Sequence, residues 1–420
     1  MAAEHGKAGG YGELRSWPRR SGGSSVRRHV RSDGRGACGA HGAAVATMAA
    51  EPDLTIHSEV SMENKTKKIV LTGGGTAGHV SPNIALLPYL KEAGYEITYM
   101  GSKNGIEKNL IADYGLPYVG ISTGKLRRYF DVKNFTDPFR VIHGFREARK
   151  FLKKYRPDVV FSKGGFVSVP VVRAAGSLHI PCVIHESDMT PGLANKLCFR
   201  SAAKICCNFP ETLGMLPASK AVLTGTPIRG ELFTGDRARG LEICGFTADK
   251  PVLMVMGGSQ GAVSVNNAVR ANLPKLLETF QIVHLCGKGH YDDSLKDTAG
   301  YCQFEYVKED LKHIFAAADL LVSRAGANAI CEILALGKPS LLIPLPTKGS
   351  RGDQILNANS FAKQGFSEVL VDEEATEQLV EKVLALYENR AKYTEAIKAS
   401  HQTDAIPIIM DLIEKVQVRG

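Results

Sequence analysis

No apolar run in the sequence reaches the roughly 18 residues that a spanning helix needs, which excludes a protein threaded through a membrane by helices. Cysteine is sparse. Nine are scattered over 420 residues with no C-x-x-C pair, and Cys206 adjoins Cys207. That pattern is neither a disulfide scaffold nor a zinc finger, and a reducing compartment is its simplest setting. Tryptophan occurs once, as Trp17. Neither sign of charge is scarce: 52 Lys plus Arg stand against 43 Asp plus Glu, a mild excess of +9 that suits anionic partners without selecting one. What is present is globular. Apolar residues make up 44% and charged residues 23%, which excludes disorder or fibre for the whole chain, and the length allows two or three domains with a sizeable core.

Residues 1–61 differ from the rest. They hold the tryptophan, and residues 1–50 contain 10 of the 43 glycines, mixed with Arg, Ser and Ala without helical or strand period. This reads as an unstructured extension. Its Arg-rich, acid-poor composition up to residue 50 suits a transit peptide, and Ala43 to Ala50 is too short for a signal-peptide core. Sequence lying upstream of a start at Met62 is the equal alternative. The extension carries 8 Lys plus Arg and 6 Asp plus Glu, so most of the basic excess belongs to the folded body.

From Lys68 onward, short β-branched runs alternate with longer amphipathic stretches punctuated by Gly, Pro and Asn, the pattern of a parallel sheet wound with helices. Strands are expected at Lys68 to Leu71, Glu96 to Met100, Tyr118 to Ile121, Val159 to Ser162, Val183 to His185, Lys204 to Cys207 and Ala221 to Leu223. A second series is expected at Val252 to Met256, Gln281 to Leu285, Gln303 to Tyr306, Leu320 to Ser323, Ser340 to Ile343 and Glu368 to Val371. The fold class is therefore α/β, with two doubly wound units joined near Gly225 to Glu231.

Each unit opens in the same way. Ile69-Val70-Leu71 runs into Gly73-Gly74-Gly75-Thr76-Ala77-Gly78-His79, and Val252 to Met256 runs into Gly257-Gly258-Ser259-Gln260-Gly261. A glycine-rich turn between a buried strand and a helix lets backbone approach a phosphate and aims free N–H groups at it. Gly73, Gly75 and Gly78 formally satisfy G-x-G-x-x-G. That fingerprint needs an acid at the end of the second strand to hold a ribose. Here the strand ends Tyr99-Met100-Gly101-Ser102-Lys103, so nicotinamide chemistry loses support. His79 stands where a helix should start, and the dipole there favours its neutral form, suited to accepting a proton from a hydroxyl. A histidine that only caps or packs is the plainer alternative.

Three further segments carry polar groups at strand ends, where open α/β sheets bind ligands. His185-Glu186-Ser187-Asp188 leads through Met189-Thr190-Pro191-Gly192 into a helix, and a solvated charge cluster is the competing reading. Ser323 to Glu332 joins a strand to a helix, placing Glu332 about one and a half turns in, where a carboxylate can take both hydroxyls of a ribose. Pro344 to Gly352 is a long polar loop ending in Asp353-Gln354, typical sugar-hydroxyl partners, with an N-cap role for Asp353 equally ordinary.

Together these segments resemble the MurG family of two-Rossmann, GT-B type glycosyltransferases from about Lys68 to the C terminus, with motif order and spacing kept. The family's Gly-Gly-Thr-Gly-Gly-His loop corresponds to Gly74-Gly75-Thr76-Ala77-Gly78-His79, and its Gly-Ser-Gln-Gly signature is Gly258-Ser259-Gln260-Gly261. The resemblance implies transfer of N-acetylglucosamine from UDP to the C4 hydroxyl of a lipid-linked muramyl-pentapeptide, with inversion and without a cofactor or metal; the sequence has no Asp-x-Asp. It implies His79 as general base. The nucleotide sugar would be held by Thr76, Ala77, Gly78, Asp188, Arg229, Ser259, Gln260, Gly261, Val307, Ala327, Glu332, Asp353 and Gln354. In that set Ser259 and Arg229 would meet the diphosphate, the Val307 backbone the uracil, Glu332 the ribose, and Asp353 with Gln354 the sugar. His185 and Glu186 fall on the acceptor side. Where many members have His-Glu-Gln-Asn this chain has His185-Glu186-Ser187-Asp188, a carboxylate for an amide that alters the charge balance.

The implied organisation is an extension over 1–61, an acceptor and membrane-binding Rossmann-like domain over 62–226, a UDP-sugar domain over 227–402, and a C-terminal helix over 403–420 returning to the first domain. The expected partners are UDP-N-acetylglucosamine, the lipid-linked acceptor and an anionic membrane surface, with no nucleic acid, at the cytoplasmic face of the cell membrane. Lys125-Leu126-Arg127-Arg128-Tyr129-Phe130, with Phe135, Phe139 and Arg140, mixes cations and aromatics as an anionic interface requires. An ordinary amphipathic helix is the other reading. Two alternatives to the function remain: another GT-B transferase acting on a diacylglycerol or small aglycone, and a non-catalytic sensor of UDP-sugars or lipid precursor.

Overall fold

The computed structural model describes residues 66–124, 133–258, 260–347, 352–400 and 405–417. The first sheet is built from β1 (Lys67–Thr72), β2 (Tyr95–Ser102), β3 (Tyr118–Ile121), β4 (Val159–Ser162), β5 (Cys182–Glu186), β6 (Lys204–Cys207) and β7 (Ala221–Leu223). The second comprises β8 (Val252–Met256), β9 (Gln281–Leu285), β10 (Tyr301–Phe304), β11 (Leu320–Ser323), β12 (Ser340–Leu342) and β13 (Ser367–Val369). The helices of the first half are α1 (Ser81–Glu92), α2 (Ile106–Ala112), α3 (Lys133–Tyr155), α4 (Ser168–Ser177), α5 (Leu193–Cys198) and α6 (Pro210–Leu213). Those of the second are α7 (Arg237–Cys244), α8 (Val263–Ala271), α9 (Leu273–Thr279), α10 (Leu311–Ala317), α11 (Ala327–Ala335), α12 (Asp353–Lys363), α13 (Ala375–Glu388), α14 (Arg390–Ala399) and α15 (Ala405–Val416).

The strand orders are β3-β2-β1-β4-β5-β6-β7 and β10-β9-β8-β11-β12-β13, every pair parallel. Each order reverses beside its first strand, between β1 and β4 and between β8 and β11, so each glycine-rich turn stands at a topological switch point. The strands are apolar throughout because both faces are covered. Ile69 and Leu71 pack with α1, Ile111 of α2 and Ile409 of α15, while Val70 between them packs with Leu152 of α3 and Val171 of α4. In the second sheet Leu253 and Val255 face α8, α9 and α13, and Met254 faces α10, α11 and α12.

Most expected strands fall where the sequence puts them. Two are displaced: β13 runs Ser367–Val369 instead of Glu368 to Val371, and β10 runs Tyr301–Phe304 instead of Gln303 to Tyr306, because Tyr301 and Gln303 supply its buried side and Tyr306 is 67% exposed. His79 does not begin a helix either. It closes a separate 3-10 turn, Ala77–His79, and α1 starts at Ser81 with Pro82 in its first turn.

The chain crosses between the sheets through residues 224–231 and returns by α15. Lys67 Nζ lies 3.1 Å from both carboxylate oxygens of Glu414 on α15, and Tyr95 OH donates to Glu414 Oε1 at 2.9 Å.

Candidate active site

The first glycine-rich turn is held from beneath by buried polar groups. Tyr99 OH donates to the Gly73 carbonyl at 2.8 Å, and Asn83 Nδ2 reaches the Thr72 carbonyl at 3.1 Å. Glu107, fully buried near the start of α2, accepts from the Ser102 amide at 2.9 Å and from the Gly75 amide at 3.2 Å. An internal carboxylate therefore takes one of the amides that the sequence reading offered to a phosphate. Gly75 has φ +87°, and a Cβ there would meet the Phe166 ring at 2.5 Å. Thr76 is exposed, Ala77, Gly78 and His79 are half-buried, and His79 Nδ1 lies 3.0 Å from Thr76 Oγ1. The ring rests on Gly165, at φ +81°, where a Cβ would come within 3.0 Å of Nδ1.

From the second sheet, α11 approaches this turn directly. Asn328 Nδ2 donates to the Gly78 carbonyl at 2.6 Å. Ala327 is the buried first residue of α11, and Glu332 follows on its second turn. Burial raises the Glu332 carboxyl, and the charge of Arg229 opposes the rise. Arg229 pairs with Glu231 at 2.8 Å through Nη1, while its Nε is buried with no partner among the described residues. Gln260 is exposed, and Gly261 has φ +76° and packs so closely that a Cβ would meet the Cys286 carbonyl at 2.2 Å. The first turn of α8 beyond it has no side-chain cap. Val307 is half-buried between β10 and α10. Asp353 is the first residue of α12 and not its cap, which is Gly352; its Oδ1 accepts from Thr190 Oγ1 at 2.9 Å. Gln354 Oε1 accepts from the Leu345 amide at 3.0 Å.

The segment after β5 is tied down by several hydrogen bonds. Glu186 is buried, and its two oxygens accept from the amides of Ser187 at 2.9 Å, Asp188 at 3.2 Å and Gly192 at 2.9 Å and from Asn195 Nδ2 at 2.9 Å. Burial pushes its carboxyl up against those bonds. His185 is fully buried, with Nε2 2.8 Å from the Gly225 carbonyl and Nδ1 2.8 Å from Lys163 Nζ. An ammonium only donates and a carbonyl only accepts, so the ring is neutral with its hydrogen on Nε2. Burial, and then the Lys163 charge, hold its basicity well below normal. Both polar side chains thus point into the protein. Across the sheets, Asn357 Oδ1 accepts from the Met189 amide at 3.1 Å, and Asn357 Nδ2 lies 3.4 Å from Asp188 Oδ1.

Comparison with known proteins adds the family. The profile of the glycosyltransferase family 28 N-terminal domain matches residues 69–207, and that of the C-terminal domain matches residues 252–412. A protein of Lachnospira eligens named UDP-N-acetylglucosamine-N-acetylmuramyl-(pentapeptide) pyrophosphoryl-undecaprenol N-acetylglucosamine transferase is 64% identical over 349 residues, 83% of this chain and 99% of its own. A Clostridium tetani protein of the same name is 57% identical over 83% of this chain and 98% of its own. The crystal structure of Acinetobacter baumannii MurG superposes with a TM-score of 0.66 at 28% identity, covering 83% of this chain and 99% of that one. The chain belongs to the MurG family within glycosyltransferase family 28.

Some MurG-family positions fall elsewhere. Ser259, Arg127, Arg128, Tyr129 and Phe130 lie outside the described residues, as do residues 1–61. Other residues at the site escaped the sequence reading. Lys163, next to Gly164 and Gly165 at the end of β4, is 1% exposed. Its place at the carboxyl end of a central strand, before two glycines, was the available signal. Glu107, Asn328 and Asn357 gave none, since the bonds that bring them to the site reach Gly75, Gly78 and Met189, 32, 250 and 168 positions away.

Proposed function

We propose that this chain is an inverting hexosyltransferase that moves N-acetylglucosamine from UDP to the C4 hydroxyl of undecaprenyl-diphospho-N-acetylmuramoyl-pentapeptide, turning lipid I into lipid II for peptidoglycan. The names of relatives at 64% and 57% identity support this reading. The observation that carries it is the 2.6 Å bond from Asn328 to Gly78. That bond ties the turn carrying His79 to the helix carrying Ala327 and Glu332, so base and donor residues share one surface.

On this reading the donor lies along the second sheet. The Val307 backbone takes the uracil, Glu332 the ribose, and Asp353 and Gln354 exchange Thr190 and the Leu345 amide for sugar hydroxyls. Arg229, Ser259, Gln260 and Gly261 meet the diphosphate, and the Nε of Arg229 is a donor without an acceptor among the described residues. Thr76, Ala77, Gly78 and Asp188 close over it from the first sheet. His185 and Glu186 act on the acceptor side by fixing the loop that faces it. His79 Nε2 takes the acceptor's C4 hydroxyl proton as that oxygen bonds to the anomeric carbon from the face opposite UDP. The bond from the anomeric carbon to the UDP oxygen breaks with its electrons on UDP, and Arg229 with the uncapped α8 amides offsets that charge.

A groove of about 480 Å³ beside α3 supports the membrane part of the proposal. Ile142, Phe145 and Leu197 line it, and Arg173, Lys196 and Arg200 rim it. Phe139 nearby is 74% exposed. No helix among the described residues is long and apolar enough to cross a membrane. On this reading the protein meets anionic lipid as a peripheral enzyme at the cytoplasmic face.

The test is a transfer assay with UDP-N-acetylglucosamine, UDP-N-acetylgalactosamine and UDP-glucose against lipid-linked muramyl acceptor and diacylglycerol. Transfer only from the first donor to the first acceptor is expected; transfer to diacylglycerol, or none, refutes the reading. His79→Ala should lower kcat by about a hundred- to ten-thousandfold with UDP-N-acetylglucosamine binding kept. Surviving turnover removes His79 as the base.

A further inference from the structure

We propose that Glu107 is a positioning residue: its carboxylate fills the anion cradle of the first glycine-rich turn, so that this turn holds His79 in place instead of binding a phosphate. The inference rests on the reading above, in which His79 is the base. A turn of this kind offers its amides, and the close approach of its backbone, to an anion. Here the anion is the protein's own. Glu107 is fully buried. Its Oε2 accepts from the Gly75 amide at 3.2 Å, and its Oε1 accepts from the Ser102 amide at 2.9 Å and from Ser102 Oγ. Both oxygens face amide hydrogens, as those of an ionised carboxylate do. Two glycines make room for it. A Cβ on Gly74 would stand 2.6 Å from the carboxyl carbon, and a Cβ on Gly105 would overlap both oxygens.

The place of the cradle decides its effect. Gly75 immediately precedes Thr76, whose Oγ1 lies 3.0 Å from His79 Nδ1 and whose carbonyl accepts from the His79 amide at 3.2 Å. Holding the Gly75 amide from beneath therefore fixes where the Ala77–His79 turn begins. The same carboxylate reaches Ser102 at the end of β2, and the Ser102 carbonyl accepts from Tyr118 OH at 2.6 Å. The turn is thus fastened to the sheet through a side chain, although its own residues are mostly glycine. A phosphate is turned away for two reasons: the Gly75 amide is already occupied, and a negative charge lies directly below it. The two glycine-rich turns then differ in use. Residues 73–75 serve the base, and residues 257–261 are left to the donor diphosphate.

The experiment compares wild type, Glu107→Gln, Glu107→Ala, His79→Ala and the two doubles on the full chain. Each is read by kcat at saturating UDP-N-acetylglucosamine and by melting temperature, with formate and with chloride at equal ionic strength. Glutamine keeps the shape but turns an NH2 group towards the Gly75 or the Ser102 amide. Glu107→Gln should therefore lower kcat by roughly tenfold or more, as misplacement of a reacting group does. Beside His79→Ala the same change should lower kcat by less than about twofold, because the group it positions is gone. Equal falls in both backgrounds would overturn the proposal, since a merely structural role costs both alike. Glu107→Ala leaves a space for one carboxylate below Gly75, which is exposed. Formate should raise the kcat of this variant by about threefold or more and raise its melting temperature, with no such effect of chloride. No response to formate would overturn the proposal. If both singles fail to fold, recovery of Glu107→Ala in formate supports it and continued unfolding in formate overturns it. Wild type that transfers nothing sinks the transferase reading, and His79→Ala with full turnover sinks the base reading. In either case the melting temperature of Glu107→Ala in formate decides whether the turn is a carboxylate cradle.

Discussion

An imidazole takes up a proton at Nε2 only if Nδ1 carries its hydrogen, and that hydrogen needs an acceptor. Thr76 Oγ1, 3.0 Å from Nδ1, is placed to be that acceptor, three residues back on the same turn. Thr76→Val keeps the shape and removes the acceptor. A net hydrogen bond of about 1 kcal/mol corresponds to about a fivefold fall in kcat, and a rise in KM for the donor would report the separate contact of Thr76 with the diphosphate. Steady-state kinetics of the valine variant decide it; an unchanged kcat means that the tautomer is set elsewhere. His79 was legible from sequence because a glycine run and a strand fix where it must stand. Lys163 was not, because whether a loop lysine is solvated or buried depends on His185, Ser187 and Thr226, which lie 22 to 63 positions away.

Strands were the most legible elements. In a parallel sheet covered on both faces, the strands are continuous apolar runs, as in Val252–Met256, and such runs are short enough to be told from helices. Edge strand β10 was misjudged because only alternate residues are buried there. Next to it, β9 carries a polar cluster with a measurable consequence. His284 is fully buried, Nδ1 2.8 Å from Tyr301 OH and Nε2 3.0 Å from Asn266 Oδ1, and burial, with Arg270 beside it, pushes its pKa down to about 3. The unfolded chain would protonate it near 6.5. Between these values the unfolded state binds a proton that the folded state refuses, so this contribution is intact above pH 6.5 and is lost as pH falls towards 3. The loss is about 1.4 kcal/mol per pH unit from His284, and His185, also depressed, adds to it in the same direction. Glu186 and Glu332, both raised, work the other way and flatten the curve at its acid end. Urea denaturation at pH 7.5, 6.0 and 5.0 should show falling stability, with a shallower slope for His284→Gln. Parallel slopes for the two proteins would contradict the assignment.

The whole molecule brings the halves together through side chains that no local pattern announces. Thr190 meets Asp353, Ser360 Oγ lies 3.0 Å from Glu211, and the rings of Phe209 and Phe361 pack edge-on at 5.9 Å. The first sheet is also used asymmetrically. α15 closes one face together with α1 and α2, while α3, α4 and α5 cover the other and leave the apolar groove with its three cations. A lipid-linked acceptor arrives from a membrane, so the groove face is the one that should lie on it. Each cation at an anionic surface contributes about 1 kcal/mol, and neutralising two therefore weakens vesicle binding by about thirtyfold. Arg173→Gln with Arg200→Gln tests this by sedimentation with phosphatidylserine vesicles and by transfer to membrane-embedded and to water-soluble short-chain acceptors. Both arginines are exposed, so folding should be spared. Binding and transfer on vesicles should fall together, and transfer to the soluble acceptor should persist. Equal loss on both acceptors would place the arginines in acceptor recognition, and no loss on either would turn this face away from the membrane.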